Sequence, residues 1–464
     1  MKSVPTIRFL GAAGTVTGSR FLLEQDKTRV LIDAGMFQGL KELRLKNWDA
    51  FPIKPESINA IALTHAHLDH SGYLPLLVRE GFSGPIYLTE YTAKLAEVVL
   101  RDSAHLQTED AAYAARKGFS KHSQPLPLYD DEDVTRTVQL FRTVSFRQRI
   151  EIAQDTAVTF HPSGHILGAS FIDVEFAGKR LLFTGDMGRN QHPLLVPPDH
   201  FPSGHFDAVL TESTYGDRKH ESPTNSFRDA INRTISRGGT VIIPAFAVDR
   251  TEVILMELHR LIDYQEIKRV PIYVDSPMAL TTLEYYRDAL HNRSPEIRIE
   301  IVSEWSSGDP FDPGDLHEMR SVEDSKKLND PHTPCIIISA SGMATGGRVV
   351  HHLAGSLPHS ENSVILVGYQ AVGTRGRLLE EGALTVKIHG ELIPVKAEIL
   401  AIEAFSVHAD SAELLSWLSG ASQAPDKVFV VHGEQSVAEK FASTLKEELN
   451  WNCEVPKDGQ QFPI

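Results

Sequence analysis

Leu63-Thr64-His65-Ala66-His67-Leu68-Asp69-His70 is the stretch on which the fold of this chain turns. Four ligand-type side chains occupy the six positions from His65 to His70. The apolar run before them, Ile58 to Leu63, predicts a short buried strand. The run after them, Ser71 to Glu80, predicts a helix that stops at Gly81. The ligands therefore fall on a turn between strand and helix. There His65 and His67 can point to one side, and Asp69 and His70 to a neighbouring position. Imidazole and carboxylate together suit Zn²⁺, with Mn²⁺ and iron as alternatives. A lone surface histidine carries no such meaning, and His-x-His-x-Asp-His does.

That motif after an apolar strand resembles the signature of the metallo-β-lactamase fold. Later stretches resemble its β-CASP branch, whose members cut RNA or DNA. Asp33 ends a strand predicted over Arg29–Asp33 and is by type a turn carboxylate. The resemblance implies that it supports the metal histidines from behind. His165 lies in the small-residue loop Pro162-Ser163-Gly164-His165-Ile166-Leu167-Gly168-Ala169. Asp186 lies in Gly185-Asp186-Met187-Gly188, after a predicted hairpin of Ser170–Phe176 with Lys179–Thr184. The resemblance makes His165 the third ligand of a first metal and Asp186 the carboxylate that bridges two.

Length and composition set wider limits. The chain has 464 residues, enough for two or three domains. Its hydrophobic share of 41% is that of a soluble globular protein. No apolar run reaches membrane-spanning length, and the first residues lack the apolar core of a secretory signal. Cys335 and Cys453 are far apart and outside any Cys-x-x-Cys spacing, so both read as buried thiols. A cytoplasmic protein with no membrane partner is the expectation. The net charge of −15, from 46 basic and 61 acidic residues, speaks against a non-specific nucleic-acid binder. An acidic nuclease needs a local basic track.

Gly11 to Ser19 is glycine-rich but lacks Gly-x-Gly-x-x-Gly and the lysine of a phosphate loop, so no nucleotide site is expected. Helices are predicted from about Tyr91 to Arg116 and from Asp131 to Leu140, with a polar, turn-rich stretch over 118–133 between and overlapping them. His105, within the first, has no companion at ligand spacing. Glu212-Ser213-Thr214-Tyr215-Gly216-Asp217 resembles the acidic motif that opens the β-CASP insertion. From about Arg218 strands alternate with helices, which implies a parallel α/β sheet. Ser339 and Ser341 end one such strand before a helix, where free amides favour anions. Arg375 and Arg377 in Gly373-Thr374-Arg375-Gly376-Arg377 are candidate phosphate contacts. The family often has Gly-Arg-x-Gln where this chain has Asp249-Arg250-Thr251-Glu252, and the acidic side chains weaken a phosphate role there.

After Lys396 the pattern resembles the first domain again. Ser406-Val407-His408-Ala409-Asp410 and His432-Gly433-Glu434 resemble the two late histidine motifs of the family. The expected architecture is an αββα metallo-β-lactamase sandwich from residues 1–214 and 396–464, with a β-CASP α/β domain inserted over 215–395. No added nucleic-acid-binding domain is expected at either end.

The resemblance implies two zinc ions, Mn²⁺ remaining an alternative. His65, His67 and His165 would hold the first; Asp69, His70 and His432 the second; Asp186 both. Two such ions lower the pKa of water and neutralise a phosphodiester. The catalytic set is then Asp69, Glu212 and His408. His408 would touch the scissile phosphate and protonate the leaving oxygen, Glu212 would orient it, and Ser406 would add a phosphate contact. Arg348, Arg375 and Arg377 are expected to form the basic track.

The expected activity is hydrolysis of RNA phosphodiesters in RNA processing or decay. A small-ester or phosphodiester hydrolase of the same fold and a non-catalytic RNA-binding scaffold are the alternatives. The insertion with Glu212 and His408 disfavours the first, and the intact ligand set the second. Single-stranded DNA as a substrate and a homo-oligomer stay open.

Overall fold

The structure, a computed structural model, describes residues 3–117, 125–220, 225–329, 331 and 334–464. The turn-rich stretch predicted after residue 117 therefore lies partly outside the described residues. The chain divides into two compact units, Met1–Lys219 with Val407–Ile464, and His220–Ser406.

The first unit begins with β1 (Thr6–Phe9), β2 (Phe21–Gln25), β3 (Thr28–Ile32), β4 (Ala60–Ala62), β5 (Ile86–Thr89) and β6 (Phe141–Val144). It continues with β7 (Arg149–Ala153), β8 (Thr156–Pro162), β9 (Ser170–Phe176), β10 (Lys179–Phe183) and β11 (Ala208–Thr211). The second unit holds β12 (Val241–Ala245), β13 (Ile272–Val274), β14 (Leu316–Glu318), β15 (Ile336–Ala340), β16 (Ser363–Leu366), β17 (Thr385–Ile388), β18 (Glu391–Pro394) and β19 (Glu398–Ala401). The chain then returns to the first unit with β20 (Lys427–Val430), β21 (Cys453–Glu454) and β22 (Gln461–Pro463).

The first unit is two seven-stranded sheets, ordered β22-β1-β2-β3-β4-β5-β6 and β21-β20-β11-β10-β9-β8-β7. Side-chain alternation explains why they stack. Leu181, Phe183, Ala208, Leu210 and Phe429 point from the second sheet into a core shared with Ile7, Phe9, Phe21, Val30 and Ile32 of the first. Phe9 and Phe429 close that core with ring centroids 5.0 Å apart. The intervening residues Leu182, Val209, Val428 and Val430 face the other way. They pack under helices Ser411–Leu418 and Gln435–Leu449 through Leu414, Leu418, Phe441 and Leu445. The result is the expected αββα sandwich.

The predicted helix after the histidine motif differs in detail. It starts earlier, at Leu68, and is broken into Leu68–Ser71 and Leu74–Arg79. Pro75 sits in the first turn of the second piece, where its missing N–H is harmless. Asp69 and His70 thus ride on a helical turn rather than on the loop before one.

In the second unit β14-β13-β15-β12-β16-β19 form one sheet, parallel throughout. The expected boundary at residue 396 moves to Ser406. The reason is β19, which pairs with β16 from Ser363↔Glu398 to Leu366↔Ala401 and so extends the inserted sheet.

Candidate metal centre

Strand ends build the site. In the first sheet β3 and β4 run parallel, and their carboxyl ends deliver Asp33 and the His65–His67 turn. In the second, β10, β11 and β20 run parallel and deliver Asp186, Glu212 and His432. Asp33 and His432 both have left-handed backbones, with φ of 59° and 49°. Non-glycine residues rarely hold that conformation except where the surroundings enforce it. The loop of His165 lies hard against that of Asp186. A Cβ on Gly188 would stand 2.0 Å from Gly164 O, so only glycine fits there.

Two ligand groups result. His65, His67, His165 and Asp186 form one, and Asp69, His70 and His432 the other. Asp186 also lies together with Glu212 and His432. In the first group His67 Nδ1 is 3.1 Å from His65 Nε2 and 3.2 Å from His165 Nε2. Asp186 Oδ2 is 3.5 and 3.6 Å from those two Nε2 atoms. Tetrahedral zinc with bonds of about 2.0–2.1 Å sets its ligand atoms roughly 3.3 Å apart.

The donor chemistry agrees. Three ring nitrogens face one another, and at most one proton can lie along each contact. Burial, then neighbouring His70, pushes His65 well below the ordinary histidine pKa. Burial, then His408, does the same to His165, and burial takes His67 down to about 4. Shifts in this direction favour neutral rings, the form of imidazole that binds a metal ion.

The second group is held from behind. His70 Nδ1 donates to Asp33 Oδ2 at 2.8 Å, which leaves Nε2 facing His432 Nε2 at 3.2 Å. His432 Nε2 is 3.3 Å from Asp69 Oδ2. Burial opposes charge on His70, yet Asp186 and Asp33 outweigh it and raise its pKa well above the ordinary value. Asp186 is pulled well below the carboxylate range: burial opposes this, and His432, His70 and His65 overcome it. This anionic surround favours any cation at the centre.

His408 stands beside the groups, its ring centroid 4.4 Å from that of His165 and its Nδ1 3.9 Å from Asp186 Oδ2. Its backbone is fixed by Ala409 N–H donating to Met187 O at 2.8 Å. Glu212, fully buried, clamps both sides. Oε1 accepts the Met187 N–H at 2.5 Å, and Oε2 meets His408 Nδ1 at 3.2 Å. Burial lowers the His408 pKa, but Glu212, Asp186 and Asp69 raise it to a net value above ordinary. The ring keeps 15% of its surface open, whereas His65 and His165 are closed off. Asp410, next in the motif, is not a ligand; it caps helix Ser411–Leu418 by accepting the Ala412 and Glu413 N–H groups.

The structure also supplies hydroxyls that sequence reading passed over. Thr64 Oγ1 lies 2.9 Å from Asp33 Oδ2 and 3.1 Å from His65 Nδ1. Thr214 Oγ1 lies 3.1 Å from His432 Nδ1. Ser19 Oγ lies 3.4 Å from His70 Nε2. The signal for Thr64 was its place between a buried strand and a ligand, where a hydroxyl must find a partner.

The expected phosphate contacts fare differently. Ser339 is fully buried and donates to Asp275 O at 2.8 Å, so it offers nothing to a phosphate. Ser341 Oγ lies 3.1 Å from Thr345 Oγ1, and either hydroxyl can donate. Arg375 gives its guanidinium to Ala344 O and Lys387 O. Arg377 pairs with Glu381 at 2.7 Å. Arg348 pairs with buried Asp275 at 2.7 Å and donates to Met319 O. Each of these arginines has a partner within its own unit. Ser406 is buried, with no partner for its hydroxyl among the described residues.

Among the described residues, no helix is long and apolar enough to cross a membrane. Family models match in succession. The metallo-beta-lactamase superfamily matches residues 13–233, the Beta-Casp domain 251–379, and the Zn-dependent metallo-hydrolase RNA specificity domain 392–456. Ribonuclease TTHA0252 of Thermus thermophilus is 36% identical, over 94% of this chain and 94% of its own. RNase J-like protein of Methanocaldococcus jannaschii is 30% identical over 99% of each chain. Transcription termination factor FttA of the same organism is 30% identical over 97% of this chain and 70% of its own. With the sandwich, the inserted parallel sheet and this likeness along nearly the whole sequence, the chain belongs to the β-CASP family of metallo-β-lactamase-fold proteins.

Proposed function

We propose that this protein is a metal-dependent ribonuclease that hydrolyses RNA phosphodiesters in RNA processing or decay. His65, His67 and His165 would hold one zinc ion and Asp69, His70 and His432 a second, with Asp186 shared. Bound there, the two ions would activate water and neutralise the phosphodiester. The observation that carries the reading is His408, held by Glu212 beside Asp186 at the open side of the cluster. A hydrolase of small esters needs the ligands but not a held proton donor of this kind. Glu212 keeps the His408 Nδ1 proton in place, which turns Nε2 outward as the acid for a leaving oxygen.

The test is cleavage of end-labelled RNA together with elemental analysis of the same preparation. Close to two transition-metal ions per chain and RNA hydrolysis are expected. Asp186→Ala should lose most of the metal and the activity. A zinc-grown preparation with no metal, or a metal-loaded one inert on RNA, would overturn the reading.

A further inference from the structure

With Arg348, Arg375 and Arg377 committed to internal partners, an acidic chain still needs a surface that receives a polyanion. The segment after β3 offers one. Helix Lys41–Leu45 runs into a 3₁₀ turn, Lys46–Trp48. Positions 41, 44 and 45 share a side of the α-turn, and 45 and 48 eclipse in the 3₁₀ turn. On that side Lys41 and Arg44 are exposed and pair with no carboxylate among the described residues. Leu45 and Trp48 are 54% and 58% exposed.

The opposite side is anchored. Asn47 is buried, accepts the Phe37 N–H at 2.9 Å, and donates to Phe37 O at 2.8 Å. Arg20 donates to the same Asn47 at 3.2 Å and stacks over Tyr73, 3.7 Å from the ring centre. The segment also starts from the metal centre itself. Ala34 N–H donates to His70 O at 2.7 Å and Met36 N–H to Leu68 O at 2.9 Å. A rigid support thus holds two free cations and a bare indole outward.

We infer that the face of Lys41, Arg44, Leu45 and Trp48 binds a stretch of single-stranded RNA flanking the scissile bond. This rests on the ribonuclease reading. Cations for the backbone and an aromatic face for a base are the two components of a sequence-tolerant single-strand site. Charge favours RNA over an apolar protein partner, since two unpaired cations border the apolar residues.

The experiment measures affinity for a fluorescein-labelled single-stranded RNA of about 16 nucleotides. It uses the full metal-loaded chain, with His408→Ala throughout so that the RNA stays intact. Trp48→Ala should weaken binding about five-fold or more while keeping the salt dependence. Lys41→Gln with Arg44→Gln should flatten the slope of log affinity against log salt by roughly 1.4, two contacts at about 0.7 each. Metal content equal to the parent shows that the fold is intact.

Parent-like affinity and slope in both variants would overturn the site while leaving the ribonuclease reading standing. A parent that binds no RNA would overturn both. Unchanged RNA binding with loss of self-association in Trp48→Ala would assign the face to a second copy of the chain instead.

Discussion

The Thr64 hydroxyl donates to Asp33 Oδ2 at 2.9 Å while standing 3.1 Å from His65 Nδ1. Asp33 also accepts from His70 Nδ1. One buried carboxylate thereby sets the orientation of a histidine in each ligand group, reaching the first through Thr64. Removing the hydroxyl frees His65 directly and loosens Asp33 against His70. Thr64→Val should weaken zinc binding at both positions, by roughly 10–100-fold. Thr64→Ser, which keeps the hydroxyl, should stay near the parent. Competition against a chelator of known affinity gives both values, and parent-like affinity in the valine variant would remove Thr64 from this role.

The Glu212 carboxylate lies 3.2 Å from His408 Nδ1 and, against the opposing effect of burial, raises the His408 pKa. A pKa raised in this way keeps His408 acidic at pH values where an ordinary histidine is neutral. Activity that needs the protonated ring falls as pH rises through that raised value. Glu212→Gln removes the charge and lowers the pKa, so the alkaline limb of the pH–rate profile should move to lower pH. A limb that stays in place would assign it to another group.

If water rather than the 2′-hydroxyl attacks phosphorus, the 3′-oxygen leaves and His408 protonates it. The products are then a 5′-phosphate and a 3′-hydroxyl. A single 2′-deoxy sugar at the cleaved position should leave the bond cleavable. His408→Ala should retain its metal and lose about 10²–10⁴-fold in rate. End-group analysis is decisive, and a 2′,3′-cyclic phosphate product would refute the scheme.

Glu252 is fully buried in the inserted unit, and no side chain of the described residues hydrogen-bonds its carboxylate. Burial, then the charge of Asp249, raises its pKa well above the ordinary value. The unfolded chain therefore loses this proton first as pH rises. Stability falls from about pH 4.5 upward until the folded group also ionises. Glu252→Gln cannot ionise and should show a thermal midpoint that gains on the parent as pH rises from 4 to 8. A constant difference across that range would count against a buried neutral acid.

Arg348 spans Asp275, Met319 O and Arg320 O. Its loss leaves Asp275 buried with only His352 and Ser325. Arg348→Ala should destabilise by up to about 3–5 kcal/mol and leave the salt slope of RNA binding unchanged. Denaturant unfolding and the binding series above check the two halves separately.

The residues of the candidate ligand groups stand out in the sequence because their chemistry is concentrated there. His65 to His70 fit one turn, and His165, Asp186 and His432 each follow an apolar strand, as does Glu212, which holds His408. Thr64 and Thr214 do not stand out, since a threonine beside a strand end is ordinary until its partner is seen across the fold. Arg348 and Arg375 were legible as charges but not as bonded ones: their acceptors are Asp275, Met319 O, Ala344 O and Lys387 O, mostly main-chain groups that no side-chain pattern announces. Four-residue β19 shows an apolar run without showing which sheet it joins, and so the expected boundary fell short of Ser406. Strands β6 and β7, at the edges of different sheets, carry Arg142, Arg149 and Glu151 on exposed positions, which blurs the alternation of their short apolar faces.

The order of strands β10, β11 and β20 bears on the protein's own synthesis. Asp186 and Glu212 emerge from the ribosome about two hundred residues before His408, and β20 must slot beside β11 to bring His432 into place. Domains generally fold in the order in which they are made, yet here the first sandwich waits through an entire inserted domain for its last strands. A growing chain that has not passed residue 432 therefore lacks one residue of the second candidate ligand group.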